Sequence, residues 1–364
     1  MTSRIIKARR ALAAALLFGS VTFAAPASAE TTLTLASYVP EHAASATSIK
    51  AWADEVTKRT NGELKFRFFW AGSLLPAADM AQGVRDGRAD IGLVAQVYIP
   101  SRLPLSTVDS VPFMTSNVRA FGHAFVDMYA ESEAMQAEYA NNGLHMLFFA
   151  PADENLFYSK TELNGVADLK DKRIRAIGLG APALQAVGAS PVAISQDQVY
   201  ESLNKGLLDA TSGATMDLGV DFGFHTVAPN IIDPNYGIYA SGSYSINKAK
   251  YDALDPAVTT VLDEMAGKFL DDYFFPDMQA AVAERCDKAL AAGAKIIVWD
   301  SKETEAWKTA IGDTARQKWL ETAAATGADA EAFLASYEAK VRENEKTMPW
   351  DGAGESCAAK AASR

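Results

Sequence analysis

Two features of the chain have the residue types and spacing to handle an anion. The first is Gly178-Leu179-Gly180-Ala181-Pro182-Ala183, a G-x-G-x-x-A turn between a strand-like and a helix-like stretch. Backbone N–H groups at such a turn point at an anion, and the spacing fits a dinucleotide pyrophosphate site. Asp197 stands about where a ribose-binding carboxylate would. Against that reading, the preceding strand carries Arg173 and Arg175 rather than an apolar run. Pro182 also falls where close helix packing is wanted. The second feature is Arg175 itself, which ends that strand in line with the turn. A guanidinium keeps its charge and can hold a carboxylate by two parallel N–H donors. The plainer role for Arg175 is an edge-strand residue paired with a surface Asp.

Other chemistries find little support. His42, His123, His145 and His225 are scattered, and neither Cys286 nor Cys357 has a Cys or His close by, so no metal site is expected. There is no P-loop and no G-x-S-x-G nucleophile elbow.

The elements that must position Arg175 alternate in the α/β manner. Strands are expected at 32–37, 64–70, 91–95, 145–150, 155–159 and 173–177, with helices over 44–59, 79–85, 118–139, 182–187 and 197–204. Val84-Arg85-Asp86-Gly87-Arg88-Ala89-Asp90 and Leu203-Asn204-Lys205-Gly206-Leu207-Leu208-Asp209 repeat one unit: helix, Gly stop, two residues, Asp, strand. One such unit in each half suggests two similar lobes, although αβ loops commonly use Gly there. After 244–247 the chain turns mostly helical, with one strand at 295–299 and an Ala-rich tail, 353–364, expected to be poorly ordered unless tied down.

The first 29 residues read as a secretory leader. Arg4, Lys7, Arg9 and Arg10 precede a short apolar run, and Ala27-Ser28-Ala29 supplies the small-x-small cleavage site. Without those four basic residues the chain carries 30 basic against 45 acidic side chains. So acidic a body argues against nucleic acid as a partner, and an anionic ligand would need a local basic group. The composition, 49% apolar and 22% charged, is that of a globular protein. Its length exceeds what one core usually holds, so two lobes are expected. In an exported chain, Cys286 and Cys357 could form one disulfide that pins the tail; two free thiols are the alternative.

Several motifs now recur in a recognisable order. They are Asp168-Leu169-Lys170-Asp171-Lys172-Arg173-Ile174-Arg175, Val187-Gly188-Ala189-Ser190-Pro191-Val192, and the run from Gln198 to Asp209. In the first half, Thr60-Asn61-Gly62, Ala71-Gly72-Ser73-Leu74, Gly87-Arg88-Ala89-Asp90 and Val111-Pro112-Phe113 agree. The chain resembles the solute-binding proteins of tripartite ATP-independent periplasmic (TRAP) transporters, the DctP family. The resemblance implies an α/β, two-lobed periplasmic binding protein of type II-like topology, with crossing strands and a long inter-lobe helix. The expected division is a leader (1–29), lobe I (30–153 with 241–280), lobe II (154–240 with 281–345) and a tail (346–364). It further implies a periplasmic protein, not an enzyme and without a cofactor. Such a protein would capture an organic acid anion and deliver it to the small and large membrane subunits.

By the same resemblance Arg175 binds the ligand carboxylate. Tyr38, Gln96, Tyr98, Ser212, Gly213, Thr215 and Met216 line the cleft. Asn155 stands where sialate-binding members carry a second Arg, which makes a sialate ligand unexpected; it is either a neutral hydrogen-bond partner or a turn residue. Tyr38, Tyr98 and Met216 suggest an apolar or aromatic ligand body, although each could equally belong to a core. Departing from the family, Asp209-Ala210 replaces the usual Asp-Gly. An exported NAD(P)-dependent oxidoreductase built on the 178–183 turn, or a sensing domain, are the alternatives.

Overall fold

A computed structural model describes residues 30–364; the expected leader lies outside them. The first sheet is built from β1 (Thr31–Ala36), β2 (Leu64–Phe69), β3 (Ile91–Val94) and β4 (Leu144–Ala150). The chain then crosses to a second sheet. It lays down β5 (Leu156–Ser159), β6 (Arg173–Arg175), β7 (Ser190–Val192), β8 (Ala210–Ala214) and β9 (Asn230–Asp233). It returns as β10 (Gly242–Asn247) in the first sheet and adds β11 (Lys295–Val298) to the second. The orders are β2-β1-β3-β10-β4 and β11-β9-β5-β8-β6-β7. Each sheet has one antiparallel strand, and it is the strand that has just crossed: β5 against β8 and β9, β10 against β3 and β4. Strands buried on both faces read as apolar runs, as Ile-Gly-Leu-Val does in β3.

The repeated Gly-x-x-Asp unit does the same work in both lobes. The Asp90 carboxylate accepts the Thr34 N–H of β1 at 2.8 Å, and the Asp209 carboxylate accepts the Arg173 N–H of β6 at 2.8 Å. Each Asp therefore clasps the parallel neighbour of the strand it opens. Asp209 also takes the Arg173 side chain, so of the two strand arginines it is Arg173 that pairs at the surface.

The crossing segments, 151–155 and 234–241, pair through Glu154 and Ile238, and the Asn155 N–H donates to the Gly237 carbonyl at 2.9 Å. The Pro112-Phe113 segment makes a third edge. The Phe113 N–H donates to the Tyr236 carbonyl at 2.8 Å and the Ile238 N–H to the Thr115 carbonyl at 2.9 Å. That motif is thus a part of the hinge.

Beside the hinge runs one helical rod made of Pro256–Lys268, a π-helical stretch Phe269–Phe274, and Phe275–Ala291. At 1.5 Å per residue it is about 54 Å long. The π stretch sits just before Pro276, which lacks an N–H for the helical ladder. Ser48 of lobe I donates to Asp277 on this rod at 2.7 Å. Arg285, further along, donates to Asp221 of lobe II and to the His42 carbonyl of lobe I.

Two local expectations change, and the condition set on the tail is met. The helix expected over 118–139 is two, Val118–Glu131 and Glu133–Asn141, because Ser132 leaves the helical conformation and caps the second one. Helix Ala330–Glu345, expected with lobe II, packs on helix Val118–Glu131 of lobe I. Tyr337 and Asn344 there donate to the carbonyls of Phe121 and Ala120. The Ala-rich tail is a helix, Ala353–Ala362, held by the Cys286–Cys357 disulfide and by the Gly354 N–H donating to Glu154 at 3.0 Å.

Candidate ligand-binding cleft

Arg175 ends β6 at the floor of the cleft, 1% exposed. Its Nε donates to the Ile194 carbonyl at 3.1 Å, Nη1 to the Ser212 carbonyl at 3.2 Å, and Nη2 to the Tyr98 hydroxyl at 3.1 Å. All three partners are neutral, and three of the five guanidinium protons are used. Among the described residues no carboxylate lies within ion-pair distance of it. A buried charge without a counter-ion is costly, so this guanidinium is arranged to meet an anion from outside. Gly213 makes room for it: at φ 74° its backbone passes so close that a Cβ would stand 2.9 Å from Nη1.

The guanidinium faces a cavity of about 50 Å³ lined by Tyr38, Tyr98, Ile177, Gln196, Gly213, Thr215, Leu218 and Tyr239. A second hollow of about 60 Å³ shares Tyr38, Ala152, Thr215, Leu218 and Ala240 with it and runs on to Ser45, Leu93, Asp153, Asp217, Tyr244, Phe274 and Met278. One end of the combined cleft is therefore cationic. The middle and far walls are aromatic and aliphatic, with two buried carboxyl groups. Burial raises the pKa of both Asp153 and Asp217 above the ordinary carboxylate range.

The residues expected from the sequence divide into two sets. Tyr38, Tyr98, Gly213 and Thr215 line the cavity together with Arg175. Asn155, Gln96, Ser212 and Met216 do not line it. Asn155 is buried beside the cleft, and its Oδ1 accepts the Gly213 N–H at 2.5 Å, so it sets the backbone that makes room for Arg175. Ser212 uses its hydroxyl on the Arg175 carbonyl at 2.9 Å. Gln96 points into lobe I and donates to the Tyr139 hydroxyl at 3.1 Å. It shares a short 3₁₀ turn with Tyr98, and two residues along such a turn face different ways. Met216 is fully buried in the apolar core under the helix that Thr215 caps. Thr215 also donates to Asp217.

The sequence reading did not pick out Tyr239, Gln196, Asp153 or Asp217 as cleft residues. Tyr239 matters most, because it accounts for the G-x-G turn. Its hydroxyl accepts the Gly180 N–H at 2.9 Å and donates to the Ile177 carbonyl. A Cβ at Gly178 would stand 2.4 Å from Val97 Cγ2 and 2.9 Å from the Tyr239 hydroxyl. The glycines admit a tyrosine from the crossing segment, and the N–H that would cradle a phosphate is taken. The only sequence trace of this is an aromatic residue two positions after Gly237.

Two α/β lobes joined by crossing strands, closing over a buried arginine, define a solute-binding protein. The chain matches the family model for bacterial extracellular solute-binding protein, family 7 (DctP), over residues 35–322, and it belongs to that family. It is a periplasmic solute-binding protein of the TRAP type. Proteins of this kind bind small molecules and work with membrane subunits. YiiZ of Salmonella typhimurium, an uncharacterized protein, is 25% identical over 49% of this chain and 58% of its own length. The 2,3-diketo-L-gulonate-binding periplasmic protein YiaO of Escherichia coli is 24% identical over 74% of this chain and 81% of its own. A TRAP solute-binding protein from Rhodoferax ferrireducens, solved with copurified benzoate, superposes with a TM-score of 0.79. It is 22% identical and covers 88% of this chain and 100% of its own.

Proposed function

We propose that this chain captures a small organic acid by seating its carboxylate on Arg175. The lobes close over it, and the closed form is handed to the small and large membrane subunits of the transporter. No covalent chemistry is involved. The observation that carries this reading is the Arg175 guanidinium, 1% exposed, hydrogen-bonded only to neutral groups. The benzoate held by the Rhodoferax neighbour is the same kind of ligand. Two hollows of about 50 and 60 Å³ favour a short or single-ring acid over a large one.

The test is a thermal-shift screen of monocarboxylates, dicarboxylates, keto acids and aromatic acids, followed by calorimetric titration of the best acid. Arg175→Ala leaves the bound carboxylate unpaired, which costs roughly 3–5 kcal/mol, or on the order of 10²–10³-fold in affinity. Arg175→Lys keeps the charge without the planar fork and should bind better than Ala but worse than wild type. Equal affinity in all three proteins would remove Arg175 as the anchor.

A further inference from the structure

The far end of the cleft holds polar groups that the carboxylate anchor does not use. Asp153, on the first crossing segment, is fully buried. Its Oδ1 accepts the Glu154 N–H at 2.9 Å, and its Oδ2 makes no hydrogen bond of regular geometry among the described residues. Ser45, at the start of helix Ala44–Arg59, has a buried hydroxyl without a partner. Both residues line the same hollow, and Asp217 lines it too. Asp153 also borders an outer hollow beside Trp350, whose indole N–H lies close enough to its carboxyl to offset a small part of the burial effect without making a hydrogen bond of regular geometry.

Buried polar atoms are nearly always hydrogen-bonded, so two orphaned ones on one wall mark a place where a partner arrives from outside. Between them and Arg175 lie Tyr38, Leu218 and other apolar surface. Among the described residues, Arg175 is the one Lys or Arg side chain that lines either hollow. The wall therefore offers acceptors, and nothing there would balance a second anionic group.

We propose that the cleft selects organic acids carrying a hydrogen-bond donor, a hydroxyl or an ammonium group, on the end away from the carboxylate, and that Asp153 and Ser45 receive it. This rests on the Arg175 reading and adds a second point of recognition. A dicarboxylate is disfavoured, because no cationic side chain lines the far hollow to balance its second charge. Burial holds both acids toward the protonated form in the absence of ligand. A hydroxyl can donate to a neutral carboxyl group, whereas an ammonium group draws Asp153 into its charged form.

The experiment compares benzoate with 3- and 4-hydroxybenzoate and with 3- and 4-(aminomethyl)benzoate by calorimetry. At least one substituted acid should bind roughly 3- to 10-fold tighter than benzoate, the scale of one added hydrogen bond. Asp153→Ala should abolish that ratio while leaving benzoate affinity within about threefold. Asp153→Asn keeps an acceptor without charge, so it should preserve a hydroxyl preference and lose an ammonium preference. Ser45→Ala should reduce the ratio, and it decides the matter if Asp153→Ala does not fold. If benzoate binds through Arg175 but every substituted acid is equal or weaker, or if the preference survives both alanine variants, the second point of recognition is overturned and the anchor stands. If none of the five binds with any dependence on Arg175, the second point of recognition is overturned, and the wider acid screen decides the anchor separately.

Discussion

Tyr98 and Arg175 meet across the gap between the lobes: the Tyr98 hydroxyl of lobe I accepts from Arg175 Nη2 of lobe II at 3.1 Å. The same hydroxyl accepts the Gln196 N–H at 3.2 Å. The anchor for the ligand is thereby also a contact that holds the lobes together. Tyr98→Phe removes both bonds and leaves a buried charge one partner short, at a cost of about 1–3 kcal/mol that falls on the closed form. Affinity for the best acid should drop roughly 10-fold or more, while the melting temperature without ligand moves little. Unchanged affinity on calorimetric titration would mean that this bond does not contribute to closure.

Gly213 and Arg175 set a steric limit. A methyl group at 213 would need a left-handed backbone and would stand 2.9 Å from Nη1. Gly213→Ala should therefore shift the guanidinium and weaken binding by at least 10-fold. Stability should fall by about 1 kcal/mol, the usual cost of a side chain at positive φ. Binding at wild-type strength would show that the anchor tolerates displacement.

The Cys286–Cys357 disulfide closes 71 residues and ties the tail helix to the long rod. Its loop is long enough to contribute roughly 4 kcal/mol in the chain-entropy picture. A Cys286→Ser, Cys357→Ser protein should melt lower and should lose protection from proteolysis first within 346–364. Thiol titration of denatured, unreduced wild type should find none free; two reactive thiols per chain would refute the bridge.

Buried carboxyl groups set the pH dependence. Burial pushes Asp109 up to about 8, and Asp233 and Glu138 up to about 7. The Ser110 hydroxyl, donating to Asp109 at 2.9 Å, offsets only part of this. The unfolded chain releases these protons near pH 4, whereas the folded chain holds them until pH 7–8. The native state thus binds more protons across that window, and stability falls as pH rises through it. The melting temperature should decline from pH 5 to pH 8. Asp109→Asn, neutral throughout, should raise it at pH 8 and flatten the decline; an unchanged slope would count against a protonated Asp109.

What the sequence determined by itself was local. Period-two apolar runs, Gly stops and the repeated Gly-x-x-Asp unit are set by interactions within a few residues, and they gave the alternating elements and the arginine-bearing strand. Chain length and the repeated unit pointed to two lobes, Arg175 stood out on its strand beside the turn, and the family's ordered motifs added the crossing strands and the cleft residues. Contacts between distant segments decided the rest. Tyr239 fills the Gly178–Gly180 turn from 59 residues away, counting from Gly180, and converts an apparent phosphate loop into a packing site. Asp153 and Ser45 line one hollow although 108 residues of chain separate them. Gln96 and Met216 went to cores rather than the cleft because adjacent positions on a turn or helix face different ways. Which face meets the gap is fixed by packing across the whole lobe, and nothing in the neighbouring residues encodes it.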